Sequence, residues 1–172
     1  MSEILGALFK YLLAIIGVAA VVVVLYEALG SNKVSTAVTE VTQMQANIAE
    51  LYAGSSNQAA SLTTSALMIS AGVVPTNMVS GSNIVDPWGN QVAAVTSPTS
   101  PSIAGITFSS VPIASCAKFA LAVLPAVSSV TVGSTAIATG DTTAVADVAT
   151  ACGTSKTSTI SIQINFSATG SS

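Results

Sequence analysis

The sequence predicts an α+β protein in which a long N-terminal helix leads into one head domain that contains β-strands. Residues 11–26 (YLLAIIGVAAVVVVLY) form an apolar run interrupted only by Gly17 and the two tyrosine hydroxyls. Residues 34–52 then place apolar side chains three and four positions apart, which is typical of an amphipathic helix. Residues 158–166 (STISIQINF) alternate apolar and polar side chains, as a half-buried strand does.

The apolar run is long enough to cross a bilayer, because a helix needs about 20 apolar residues to span a hydrocarbon core of about 30 Å. Lys10 and Glu27 are the only charged side chains of residues 4–29. A cleavable secretory signal has a basic start and a shorter apolar core, and no Lys or Arg precedes Lys10. We therefore expect residues 1–30 to be a retained apolar stalk and residues 31–172 to be the head.

The helix is expected to continue past the stalk, from about residue 2 to residue 53. Its second half carries an apolar stripe made of Val34, Val38, Val41, Met44 or Gln45, Ile48, Leu51 and Tyr52. The polar side chains that we expect largely off this stripe are Glu40, Gln43, Asn47 and Glu50. Such a helix would be about 75–80 Å long, whereas the part of the head that follows it, about 120 residues, is only ~30 Å across, so the front half must project.

The head is expected to alternate short helices and strands. Helices are predicted over residues 57–70, 114–124 and from Asp141, as the N-cap, to Cys152. Residues 83–92 read as a turn that enters a strand, and the strands are predicted at residues 91–95, 105–110, 130–132, 136–138 and 158–166. Ile160, Ile162, Ile164 and Phe166 fall on one face of the last strand, and Trp88 is interpreted as a plug of the core rather than a ligand platform.

The chemistry of the chain argues against an enzyme. It has no His, which removes Ser-His-Asp and Cys-His catalysis and most transition-metal sites. No glycine-rich loop has phosphate-binding spacing. Asp141 and Asp147 are two carboxylates in one segment, as a calcium site needs, but an N-cap and a solvated helix residue explain them better. We expect no catalytic residue, no metal and no cofactor.

Charge and composition indicate an exported structural protein. Only 6% of the 172 residues are charged, against a usual ~25%, and Ser, Thr, Ala, Val and Gly replace them. A surface of hydroxyls suggests a protein that packs against copies of itself. The net charge of −3, with four Lys and no Arg, gives no basic surface with which to bind nucleic acid.

Cys116 and Cys152 are the only cysteines and lie 36 positions apart, so neither a CxxC motif nor a zinc quartet is possible. In an exported chain two cysteines in one domain most simply form one disulfide. A loop of this length would stabilise the head by about 3–4 kcal/mol. The alternative is a pair of buried free thiols.

The order of several short motifs resembles that of a type IVb pilin, most closely the major pilins of bundle-forming and conjugative thin pili. The motifs follow an apolar N-terminal helix and precede a second cysteine and a final strand: Gly72-Val73-Val74-Pro75, Asp86-Pro87-Trp88-Gly89-Asn90 and Val111-Pro112-Ile113-Ala114-Ser115-Cys116. The resemblance implies the pilin fold, in which the long helix packs on an antiparallel β-sheet. It also implies subunits that wait in the inner membrane until the assembly machinery draws them into a helical filament of identical copies.

The same resemblance points to assembly residues near the N-terminus. The family carries Glu at the fifth mature position, where it is thought to pair with a neighbour's terminal amine, but here position 5 is Leu5. If Met1 is the processed, methylated first residue, Glu3 takes that role; otherwise Glu3 is an acid at the membrane surface. Prepilin peptidase could instead cut after Gly6, which would remove Glu3. Lys10 needs a partner in a filament core, and Glu3 of a neighbouring copy is a candidate.

These observations predict the major subunit of an extracellular type IV pilus that serves adhesion, aggregation or conjugative cell contact, with an inner-membrane pool before assembly. The alternatives are a minor pilin, a type II secretion pseudopilin, or a membrane-anchored periplasmic binding module that uses the stalk as a tether.

Overall fold

The computed structural model describes residue 30 and residues 32–52, 61–96, 104–155 and 157–166. The chain divides into two compact units, Met1–Lys33 and Val34–Ser172, and the second contains the whole sheet. Residues 1–29 of the predicted stalk, with Met1, Glu3 and Lys10, lie outside the described residues. No helix within the described part of the chain is both long and apolar enough to cross a membrane.

Four α-helices are described in the chain, and each overlaps a helical segment that the sequence predicts. Helix α1 covers residues 32–52. The later helices are α2 (Ser65–Ser70), α3 (Ile113–Val123) and α4 (Ala144–Gly153), with short 3-10 helices at Thr76–Met78 and Leu124–Ala126. The prediction for residues 32–52 of the long helix is confirmed.

Seven strands lie within the described ranges and form one antiparallel sheet, which confirms the predicted α+β class. They are β1 (Val79–Ser80), β2 (Asn83–Val85), β3 (Gln91–Thr96), β4 (Ala104–Pro112), β5 (Ser129–Val132), β6 (Thr135–Ala138) and β7 (Thr159–Asn165). The order across the sheet is β1-β2-β3-β4-β7-β5-β6. The last strand therefore lies between β4 and β5 and joins the early and late halves of the head.

The pairing of β7 on both sides explains its alternating sequence. Ile162 lies opposite Phe108 of β4 and Val132 of β5, and Ile164 lies opposite Ile106 and Val130. All of these side chains are buried in the core. The predicted apolar face of β7 is confirmed, because a central strand that is covered on one face keeps a two-residue period.

Helix α1 contributes an apolar stripe to the same core. Its buried apolar members recur three and four positions apart: Val34, Ala37, Val41, Met44, Ile48 and Tyr52. Two expectations about this helix are wrong. Leu51, placed on the stripe, is 52% exposed in the last described turn, whereas Glu40, placed off it, is only 5% exposed. Glu40 is buried because its neighbours one turn away on the same face, Ala37 and Met44, are both in the core.

Two helix starts differ from the sequence prediction. Residues 61–64 do not belong to α2, because Thr64 is its extended N-cap and its side chain accepts a hydrogen bond from the Leu67 N–H. Helix α4 begins after Thr143, not after Asp141. The Asp141 carboxylate instead closes a local turn by accepting from the backbone N–H (2.9 Å) and hydroxyl (2.8 Å) of Thr143.

Candidate functional site

The two cysteines form a disulfide that joins α3 to α4, with their Cα atoms 6.0 Å apart. Both side chains are buried. Cys116 lies on the buried face of α3, and Cys152 lies in the last turn of α4. The loop that this bond closes contains the β5–β6 hairpin, so the disulfide ties the second half of the sheet to the helices that cover it.

The Asp86–Asn90 motif is a turn organised by one carboxylate. Asp86 Oδ1 accepts from the backbone N–H groups of Trp88 (2.9 Å) and Asn90 (2.8 Å). The Gly89 N–H donates to the Asp86 carbonyl, and Gly89 has φ +90, which a side chain would strain. The turn between β2 and β3 therefore requires glycine at this position, and the role of the motif is structural.

Trp88 leaves this turn and packs against the core, as the sequence predicts. Its ring meets the ring of Phe119 edge to face at a centroid distance of 5.6 Å, and Phe119 meets Phe108 in the same way at 5.0 Å. Edge-to-face contacts of this kind favour the core by about 0.5–1.5 kcal/mol each beyond area burial. The turn is thereby connected to α3 and β4 through three aromatic rings.

Glu40 and Asp86, hereafter the acid pair, are two carboxylates buried in the head. Glu40 is 5% exposed and Asp86 is 4% exposed. Glu40 Oε1 accepts from Asn77 Nδ2 at 2.5 Å. The second oxygens, Glu40 Oε2 and Asp86 Oδ2, are buried and find no hydrogen-bond donor among the described residues.

Burial and, to a smaller extent, the charge of Asp86 together raise the pKa of Glu40 from 4.5 to about 7, against the opposing effect of the hydrogen bond from Asn77. The acid pair was missed by sequence reasoning, which placed Glu40 on the polar side of α1. The burial of Glu40 could have been predicted from its neighbours in the helix, because Ala37, Val41 and Met44 lie within about one turn of it and are all in the core.

The acidic segment at the start of α4 has a structural role. The Thr143 hydroxyl lies 2.8 Å from Asp141 Oδ1 and 2.7 Å from Asp147 Oδ2. These contacts use both carboxylates at the beginning of the helix, where negative charge is favourable. Among the described residues no group of three or more His, Cys, Asp or Glu side chains could hold a metal ion.

A comparison with protein families identifies a match over most of the chain. The family model described as PilS N terminal matches residues 31–165. This span begins immediately before α1, ends with β7, and includes both cysteines and the acid pair. A search of curated proteins returns no match.

Proposed function

Because this chain belongs to the PilS N-terminal family, which is related to the type IV pilins, we propose that it is the major structural subunit of a type IVb pilus. The observation that carries this proposal is the family match over residues 31–165, which covers the described head up to the end of β7. The order of helix, antiparallel sheet, disulfide loop and final strand is consistent with it.

The apolar segment before the head gives the proposal its physical driving force. Residues 11–26 are apolar except for the tyrosine hydroxyls, so they need either lipid or other apolar surface around them. We propose that they hold the subunit in the inner membrane and are then buried among the same segments of other copies. At about 25 cal/mol per Å² of apolar area, this burial is the dominant favourable term of assembly.

Identical subunits that meet through different surfaces form an open fibre instead of a closed ring. In this filament the heads form the outside. A surface of Ser and Thr hydroxyls, in a chain with only 6% charged residues, suits close packing between heads without like-charge repulsion. The role is structural rather than catalytic and needs neither a cofactor nor nucleic acid.

The N-terminal assembly residues remain part of the proposal. Glu3 would pair with the terminal amine of a neighbouring copy after prepilin peptidase and methylation have produced the mature first residue, proposed as Met1. Lys10 would pair with Glu3 of another copy, because an unpaired charge among apolar helices is costly. The finished pilus would act at the cell surface in adhesion, aggregation or conjugative contact.

Electron microscopy of material sheared from the cell surface tests this role. Cells that carry the gene should yield fibres labelled along their whole length by an antibody against the head, and deletion of the gene should abolish the fibres. Fibres that persist after the deletion would indicate a minor pilin or a pseudopilin. A chain that stays monomeric when detergent is removed, with no effect on fibres, would indicate a membrane-anchored binding module.

A further inference from the structure

The acid pair and Asn77 come from three segments that are distant in the sequence. Glu40 belongs to α1, Asn77 to the 3-10 helix Thr76–Met78, and Asp86 to the turn between β2 and β3. Asp86 Oδ1 is already used by two backbone N–H groups of its own turn, and Glu40 Oε1 is used by Asn77. Each carboxylate therefore has one oxygen committed to a neighbour and one buried oxygen left over.

Two ionised carboxylates cannot satisfy these leftover oxygens, because an ionised carboxylate only accepts hydrogen bonds. A buried acceptor without a donor is costly, and two like charges close together cost more. One proton removes both problems. On Glu40 Oε2 it would create a hydroxyl donor that could give Asp86 Oδ2 a hydrogen bond, and it would leave a single negative charge on the pair.

We propose that Glu40 and Asp86 hold one proton between them, and that this proton fastens α1 to the turn between β2 and β3. Two groups act on Glu40 within the described residues. The charge of Asp86, in the turn, favours the protonated form of Glu40, whereas Asn77, in the 3-10 helix, donates to Oε1 and favours the ionised form. Lys33, two helical turns earlier on α1, is exposed to solvent. The head thus contains a proton-dependent attachment of its main helix.

The direction of the pH dependence follows from the pKa of Glu40, which is about 7 in the folded head against 4.5 for the free group. The folded state binds this proton more tightly, so the stability that the proton contributes is fully present below pH 4.5 and is lost as the pH rises through about 7. Between these limits the equilibrium constant for unfolding should rise by up to about 300-fold from this group alone.

Urea denaturation of the detergent-solubilised full chain at about pH 5 and about pH 9 gives the first test. Glu40→Gln imitates the protonated acid at every pH, because its Oε1 accepts from Asn77 and its Nε2 donates to Asp86. The difference between the two denaturation midpoints should therefore be smaller in Glu40→Gln than in the wild type. Glu50→Gln, an exposed carboxylate on the same helix, is the matched control and should keep the wild-type difference.

An NMR titration of the side-chain carboxyl of Glu40 gives the second test and does not depend on unfolding. The wild type should show a midpoint near 7, as its raised pKa requires. Asp86→Asn should lower that midpoint, because its Oδ1 still accepts from the turn while its Nδ2 donates to an ionised Glu40. If this variant does not fold, the titration of the wild type still decides the question.

Three results would overturn the proposal. Glu40 could titrate near its ordinary value of 4.5 in the folded wild type. Glu40→Gln could lose as much stability in alkali as the wild type does. Added calcium or sodium could restore the alkaline midpoint of the wild type and not that of Glu40→Gln, which would show that a metal cation, and not a proton, occupies the pair.

Discussion

Removal of the disulfide by the double substitution Cys116→Ala and Cys152→Ala should lower the free energy of unfolding by about 4 kcal/mol. The two cysteines are 36 positions apart, and the chain-entropy cost of closing a loop of that length gives this value. Alanine is preferred to serine because both sites are buried, and a hydroxyl there would add the cost of an unpaired polar group. A loss of this size is a large part of the ~5–15 kcal/mol that holds a typical domain together.

Urea denaturation followed by circular dichroism measures the effect, with the reduced wild type as the matched control. The double variant and the reduced wild type should unfold at similar, lower urea concentrations than the oxidised wild type. Their m-values should be slightly larger, because an unfolded chain without the cross-link exposes more surface. Surface fibres should decrease while membrane insertion is unaffected. An unchanged unfolding free energy in the double variant would refute the stabilising role of this bond.

Gly105→Ala should destabilise the head by about 1–3 kcal/mol, since the new Cβ would lie 2.9 Å from the carbonyl oxygen of Ile164 across the β4–β7 pair. Gly153→Ala is the control, because nothing lies within 4 Å of its Cβ position, and equal thermal stability of the two variants would contradict the crowding argument. Hydrogen bonds from the backbone N–H and then the hydroxyl of Thr143 lower the pKa of Asp141. Thr143→Val removes only the hydroxyl, so an NMR titration should show that pKa rising part of the way, and no rise would refute the hydroxyl's contribution.

The central elements of the fold could be predicted because their sequence patterns are long and report burial on one side. The stripe of α1 repeats over residues 34–52, and the alternation of β7 extends from Ile160 to Phe166. A pattern sustained over several turns or several pleats leaves few competing structures. The C-terminal end of α3 could be predicted from Pro125, which lies in the 3-10 helix that follows α3.

Short strands and local hydrogen bonds could not be predicted, because they leave too short a pattern in the sequence. Strand β1 has two residues and β2 has three, so neither can show an alternation, and sequence reasoning treated residues 83–92 as a turn and one strand. Asp141 has the side chain of an N-cap, but it closes the turn before Thr143, and α4 starts two residues later than predicted.

The two parts of the candidate site, the disulfide and the acid pair, also differed in whether the sequence could predict them. The cysteine pair could be predicted because an exported domain with two cysteines has one simple pairing, and these sulfur atoms are bonded. The acid pair could not, because its contacts join residues that are far apart in the chain; Asn77 and Glu40, for example, are 37 positions apart. The helical neighbours of Glu40 could have indicated that it is buried, but the groups it meets there depend on the tertiary packing and leave no local pattern.

The central claim is that the apolar N-terminal segment stays on the subunit and is buried among identical segments in a fibre. The intact mass of the main protein of purified surface fibres tests this claim directly. We expect the mass of this chain with residues 11–26 retained, lowered by the two hydrogens of one disulfide. A main fibre protein of different identity, or a subunit whose mass begins after residue 30, would contradict the account.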